Sequence, residues 1–226
     1  GSGARILILE RGERLPREAE NWSPQAVFAE QRYRTHETWY DGSGKPFRPG
    51  QFYFVGGHTK VYGTAMFRFR ERDFEGVEHD EGKTMPWPLR YADLEPWYGQ
   101  AETLFGVHGQ AGDDPTEPPR STPYPHPPIP HEPIIGKAFE RMRALGLHPF
   151  HMPSAIDLHP GGTCIRCGTC DAFPCRVGAK GDAETRLIDP ALKHSNVALQ
   201  TGSEVTRLIS DERSKRIVAA EYRHGG

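Results

Sequence analysis

Val55-Gly56-Gly57-His58-Thr59-Lys60-Val61-Tyr62-Gly63-Thr64, continuing as AMFRFRERDF to Phe74, joins a Gly-Gly pair to a run of small residues and an Arg-rich end. Glycine has no Cβ, so Gly56 and Gly57 let backbone N–H groups approach a planar or phosphorylated ligand closely. The hydroxyls of Thr59 and Thr64 add hydrogen-bonding capacity. The stretch has the character of a cofactor wall. Without a ligand it reads as a strand-to-helix turn of a large α/β protein. Upstream, Arg5-Ile6-Leu7-Ile8-Leu9-Glu10-Arg11-Gly12 is a short apolar run ending in a carboxylate. That is the pattern of a buried parallel strand whose terminal acid accepts hydrogen bonds from a ribose. Glu10, with the adjoining Arg11, is the candidate at that position.

Downstream stands Trp87-Pro88-Leu89-Arg90-Tyr91-Ala92-Asp93-Leu94-Glu95-Pro96-Trp97-Tyr98, followed much later by the short strand-like run that contains Val205. Taken in order, the opening strand, the glycine stretch, this "WP…Y.DLEP.Y" segment and the Val205 region resemble the glucose-methanol-choline (GMC) flavin oxidoreductases. The likeness is to the choline-dehydrogenase-like and sugar-dehydrogenase-like branch, and it covers nearly the whole chain. The resemblance implies FAD as cofactor, with Glu10 and Arg11 on the ribose side and Gly56, Gly57, Thr59, Tyr62, Gly63 and Thr64 along the ring. Val205 would bring backbone to the adenine.

The chain also departs from that pattern. A dinucleotide fold opens with a strand, a G-x-G-x-x-G turn and a helix whose N-terminus holds the pyrophosphate, with the acid about 20 residues on. Glu10 has almost nothing before it. Gly1-Ser2-Gly3-Ala4 reads equally as a vestige of the glycine turn or as a linker. The family's catalytic His and its His or Asn partner belong to a C-terminal segment beyond these residues, so the chain reads as the middle of a flavoenzyme that is inactive by itself. Some members of the resembled family attach flavin covalently through a histidine that falls, by the pattern, at Val61, so the resemblance does not place covalent attachment at His58. The usual Asn near the flavin ring is Tyr62.

Composition bounds the reading independently. The 226 residues suffice for one core or one and a half, since domains run to roughly 100–200 residues. With 36% hydrophobic and 26% charged residues, 25 Gly and 21 Pro, much of the chain is expected to be irregular. A net charge of −2 gives no electrostatic case for nucleic acid or an anionic membrane. No apolar run approaches the roughly 18 residues of a membrane span. Cytoplasm and periplasm both stay open as compartments.

The pattern along the chain suggests an α/β protein with an α+β insertion. After the first strand, Trp22, Phe28, Tyr33, Trp39 and Tyr40 are spread among charges, as in a covering excursion, and Gly42 to Pro46 reads as a turn. An acidic loop spans Glu75 to Lys83, and a helix is expected from Ala92 to Phe105. The prolines between Gly109 and Pro133 predict an extended, helix-free linker in which His126 and His131 face solvent. Ile135, Ala138, Phe139, Met142 and Leu145 recur at helical spacing before Gly146, predicting an amphipathic helix with a core face. Val197 to Gln200, Val205 to Ser210 and Ile217 to Tyr222 read as strands, the last two joined by the charged turn Asp211 to Lys215. This order gives a discontinuous, partial Rossmann-like FAD-binding domain, residues 1–74 and 151–226. The substrate-side segment, 75–150, is inserted with its proline-rich linker at 109–133.

All four cysteines, Cys164, Cys167, Cys170 and Cys175, fall in one C-x2-C-x2-C-x4-C run. Turns at Gly168 and Pro174 would let four thiolates converge on one centre. The spacing is similar to ferredoxin cluster loops, which however place three residues before the fourth Cys and a Pro after it. Zinc, which favours two separated Cys pairs, two disulfides and four reduced thiols remain as alternatives. Sugar dehydrogenases of the resembled family implicate an iron–sulfur cluster near this region and a haem protein as electron acceptor.

The activity implied by the resemblance is oxidation of an alcohol or sugar hydroxyl with hydride transfer to flavin, electrons passing to a non-oxygen acceptor. No residue of this chain is assigned as the catalytic base. From a different class, the cysteine run alone is compatible with a metal-binding or iron–sulfur electron-relay module without flavin, and a structural or interaction protein with neither cofactor also stays open. Absorbance of the purified protein separates the three.

Overall fold

Ile6–Leu9 (β1) is built from the branched, apolar residues that favour strands, and in the computed structural model it is an extended strand. The structure describes residues 3–211 and 213–225. Gly1 and Ser2 of the opening tetrapeptide, Glu212 of the charged turn, and Gly226 lie outside the described residues. The remaining strands are Trp39–Tyr40 (β2), Pro46–Phe47 (β3), Glu78–His79 (β4), Gly82–Lys83 (β5), Val107–His108 (β6), Ser154–Ala155 (β7), Val197–Gln200 (β8), Ser203–Asp211 (β9) and Arg216–His224 (β10). Helices are Tyr91–Phe105 (α1), Pro133–Ala144 (α2) and the short Asp189–Ala191 (α3). Among the described residues the strands pair two by two, and β1–β8 is the parallel pair, with Ile6 opposite Val197 and Leu9 opposite Gln200.

The chain divides into two compact units. Unit one comprises residues 1–62, 168–175 and 182–226. It contains β1–β8, the β2–β3 hairpin closed by Asp41, and the long antiparallel β9–β10 hairpin. Its most buried apolar residues are Ala26, Val55 and Phe173. The opening strand is less buried than its sequence suggests, with Ile6 45% and Leu7 54% exposed. A parallel strand normally has helices on both faces and a neighbour on each edge, whereas among the described residues β1 pairs with β8 alone.

Unit two comprises residues 63–167 and 176–181. Its core is formed by Val107, Ala155, Ile156 and Ala179 around the β6–β7 pair, with Phe74, Tyr91 and Phe139 alongside. Gly181 permits a close approach, because a Cβ there would lie 2.7 Å from the Phe105 carbonyl oxygen. Helix α1 begins where the Asp93 carboxylate accepts the Arg90 N–H at 2.9 Å, and it ends at Gly106 in the left-handed region. Residues 109–132 contain no helix, in line with their proline content. Pro133, whose ring suits a first helical position, starts α2.

Two expectations for unit two require correction. Helix α2 forms at the predicted place, but Phe139 is its one buried apolar side chain, while Ile134, Ile135, Met142 and Leu145 are exposed. Periodicity identifies an apolar stripe and is blind to what covers it. His126 and His131 are half-buried and stacked on other rings, not solvated. Proline removes helical faces from a segment but does not keep its side chains from packing.

Candidate cofactor-binding site

Beyond Glu10 the chain turns back on the segment that leads into the glycine pair. Glu13 bridges Phe54 in parallel, and the Val55 N–H donates to the Glu13 carbonyl at 3.2 Å. Gly12 makes this approach possible: a Cβ there would lie 1.9 Å from the Tyr53 carbonyl oxygen. The tip of β1 and the entry to the Gly-Gly turn are therefore one construction within unit one. Gly12 was not singled out by sequence. Its place directly after a strand-ending acid was the available signal.

The turn itself has unusual backbone. Gly56 (φ 91°) and Gly57 (φ 53°) both lie in the left-handed region and open a 3-10 turn, Gly57–Lys60. They differ in surroundings. A Cβ on Gly56 would crowd the Glu184 N and Lys60 side chain at 3.0–3.1 Å, whereas a Cβ on Gly57 would meet nothing within 4 Å. Gly56 thus packs against the protein, and Gly57 presents open backbone. The Thr59 hydroxyl donates to the Gly56 carbonyl and accepts the Ala183 N–H, so it shapes the turn and its proton is not left for a ligand.

Below the turn lies a charge network that the sequence reading missed. Lys60 pairs with Asp182, which is 1% exposed, and with Glu184, and Arg14 joins Glu184 to Asp189. Asp182 Oδ1 also accepts the Thr185 N–H at 3.0 Å, as an N-cap residue does. The Asp-x-x-Thr spacing was its sequence signal. Tyr62 is half-buried beside this network. Burial first, then the Asp182 carboxylate, raise its pKa, with Arg186 opposing, so its hydroxyl keeps its proton throughout the physiological range.

At the strand tip, one Glu10 oxygen accepts the Gly12 N–H at 2.7 Å and no other partner of the carboxylate occurs among the described residues. The backbone of Glu10 is fixed on both sides, its N–H donating to Gln200 and its carbonyl accepting from Ser203. This brings the start of β9 beside Glu10. Val205 follows two residues later, 42% exposed and opposite Tyr222. Arg11, in contrast, is engaged by Glu37, by Glu204 at 3.6 Å and by the Tyr53 ring at 4.1 Å. These contacts hold the Arg11 guanidinium against protein groups.

Glu10, Arg11, Gly56, Gly57, Thr59, Tyr62 and Val205 all belong to unit one. Gly63 and Thr64 belong to unit two, where Thr64 is buried with φ 69° and its carbonyl accepts the Ala155 N–H at 2.9 Å. A β-branched residue in that region is strained. The part of the site in unit one fits an FAD ribose and ring wall, because it combines an anchored carboxylate with a vacant oxygen and a glycine whose open face needs no side-chain room.

The cysteines divide between the units, Cys164 and Cys167 in unit two, Cys170 and Cys175 in unit one, and all are half-buried. Among the described residues no group of three or more His, Cys, Asp or Glu is arranged to hold a metal ion. The loop 168–175 is nevertheless tied to the ring-wall segment, since the Ala172 N–H donates to the Val61 carbonyl at 2.8 Å. Also among the described residues, no helix is long and apolar enough to cross a membrane.

Comparison with known proteins adds a family. Residues 140–226 match the family model described as GMC oxidoreductase. The chain is 36% identical over 230 residues to 6'''-hydroxyparomomycin C oxidase of Streptomyces lividus, an alignment covering 96% of this chain and 40% of that protein. It is 31% identical over 214 residues to paromamine 6'-oxidase of Streptomyces fradiae, covering 92% and 38%. The chain therefore spans about 40% of the length of the curated relatives it matches. Among solved structures it is similar to pyridoxine 4-oxidase from Mesorbium loti, with TM-score 0.51 and 19% identity over 98% of this chain and 42% of the other, a likeness of fold.

Proposed function

The chain belongs to the GMC oxidoreductase family, and we propose that it forms part of an FAD-dependent enzyme that oxidises an alcohol or sugar hydroxyl. The observation that carries this reading is the anchored Glu10 carboxylate at the tip of β1, built together with the left-handed Gly56-Gly57 turn. In this reading unit one holds a partial Rossmann-like cofactor region, and the inserted residues 75–150 lie on the substrate side. When bound, the flavin takes up the hydride that leaves the carbinol carbon.

The residues of this chain have binding and orienting roles. Glu10 accepts a ribose hydroxyl on its vacant oxygen, while the Gly12 N–H fixes the other oxygen and so the plane of the carboxylate. Open backbone at Gly57 lies along the ring, and Lys60, Asp182 and Thr59 keep that turn from relaxing. The protonated Tyr62 hydroxyl is a donor. Val205 contributes backbone on the adenine side. No residue here is assigned as the base that removes the hydroxyl proton, so the 226 residues alone are not expected to turn over substrate.

Glu10→Ala removes a charge-assisted hydrogen bond of about 1.5–3 kcal/mol, a loss of flavin affinity of roughly tenfold to a hundredfold. Flavin absorbance retained after gel filtration of the enzyme containing this chain measures it. Unchanged retention would sink the ribose assignment. Paromamine, oxidised under anaerobic conditions with a dye acceptor, is the first substrate to assay, because oxidases named for paromamine-type compounds align over most of the chain. Turnover with the dye supports a non-oxygen acceptor such as a haem protein, and turnover restricted to oxygen opposes it.

A second, accessory reading rests on the tie between the cysteine loop and Val61. It assigns Cys164, Cys167, Cys170 and Cys175 to an iron–sulfur cluster that receives electrons near the ring wall. Anaerobically purified protein is then expected to contain iron and acid-labile sulfide in proportion. Absence of both would remove this reading and leave the flavin assignment standing.

A further inference from the structure

Five of the eleven histidines stack on one another inside unit two. His108, His126 and His159 form one group, His131 and His151 another. The second group sits where three segments meet. His131 ends the proline-rich segment, Phe139 comes from α2, and His151 precedes β7. The His131 and His151 rings are 4.3 Å apart and 4° from parallel, and Phe139 lies 4.6 Å from His131 and 5.3 Å from His151. Phe139 is the one buried apolar side chain of α2, so this ring cluster is the helix's main attachment to unit two.

We propose that the stacked His131–His151 pair is an acid-released latch that fastens α2 and the end of the proline-rich segment to unit two. Neutral imidazoles stack as aromatic rings, but two imidazolium ions at this separation repel. The charged groups around the pair are arranged asymmetrically. His151 Nδ1 lies 2.7 Å from Asp113 Oδ2, and Asp113 also faces Arg143 at 3.7 Å, whose guanidinium covers the Phe139 ring. His151 further borders a cavity of about 10 Å³, room for a single water, lined by Arg68, Arg70, Asp114 and Glu117 among others. His151 thus has a carboxylate partner at its Nδ1.

His131 has none. Its Nε2 is buried without a hydrogen-bond partner, so a proton there would be an unsatisfied buried donor beside a second cation. Burial first, then His151, lower the His131 pKa, with Asp113 opposing. The sign follows from linkage. A histidine whose folded pKa is depressed binds fewer protons folded than unfolded. Its contribution is therefore present above its unfolded pKa of about 6.5 and is lost as pH falls below that value.

The test is hydrogen exchange of the full chain, corrected for intrinsic rates, compared between about pH 8 and about pH 5. Amide protection across 133–144 is expected to fall by about tenfold or more relative to α1 on acidification, the response to one proton taken up over one pH unit. His131→Phe keeps the ring and removes the titration, and is expected to hold α2 protected at both pH values. Asp113→Asn removes the anion that favours protonation, and is expected to move release to lower pH. Protection that does not change with pH in the unaltered protein, or is lost equally in His131→Phe, overturns the proposal. If His131→Phe does not fold, the His131 ring is titrated by NMR in the unaltered protein. An apparent pKa at or above about 6.5 overturns the latch, and one below supports it.

Discussion

Glu102→Gln is expected to lower the unfolding free energy by about 3 kcal/mol, because it removes the anion that two buried guanidiniums share. The Arg68 and Glu102 side chains are 2% and 4% exposed, and Arg68 donates to both Glu102 oxygens at 2.8 Å, to the Tyr91 hydroxyl at 2.9 Å and to Glu95 at 3.1 Å. Arg120 reaches the same carboxylate at 2.9 Å and stacks on the Tyr124 ring. Burial by itself would lower the Arg68 pKa. The hydrogen bonds to Glu102 and Tyr91 and the Glu102 charge outweigh it, so the cation persists. Glutamine keeps the shape of Glu102 but leaves two cations, Arg68 and Arg120, without their shared anion. Urea unfolding followed by circular dichroism reads the loss, and a midpoint shift worth less than about 1 kcal/mol would show that water already reaches the network.

Gly12→Ala is the second large effect. The added methyl would lie 1.9 and 2.1 Å from the Tyr53 carbonyl oxygen and carbon, and neither atom can rotate away as a side chain would. Separating the two backbones breaks the Glu13–Phe54 bridge, so the cost is expected at or above the upper end of overpacking, about 3 kcal/mol. Gly57→Ala is the contrasting case. Space is open there, and the cost is confined to holding an L-residue in the left-handed region, about 1–2 kcal/mol. Thermal melts of the two variants side by side rank them. An equal loss would mean that the strand tip yields to admit the methyl.

Much of the local structure was legible because it depends on neighbours in sequence. The apolar run at Ile6, the helix expected from Ala92 to Phe105 and the β9–β10 hairpin each follow from short-range patterns. Of the candidate site, the Gly56-Gly57 turn and the acid that ends the first strand were readable for the same reason. What sequence left hidden is what depends on distant partners. Arg68 read as part of a polar Arg-rich end, although its partners Glu95 and Glu102 lie a full helix away in the chain. Thr59 was offered as a cofactor contact for its hydroxyl and Arg11 through the family resemblance, and the protein partners of both lie outside what the sequence displays. The exposed stripe of α2 and the stacked histidines mark the same limit, since periodicity and proline content say nothing of which surface arrives to cover a side chain.

The pairing of β1 with β8 dictates an order of assembly. Ile6 and Val197 are roughly 190 residues apart, and nearly all of unit two lies between them. Closing so wide a span is slow when the intervening chain is loose and is favoured once that chain has collapsed into a compact body. During synthesis the pairing of β1 with β8 waits until residue 200 has emerged. Strand β1 thus finds β8 only after the residues between them have been made, and the compact body they form brings the two strands together.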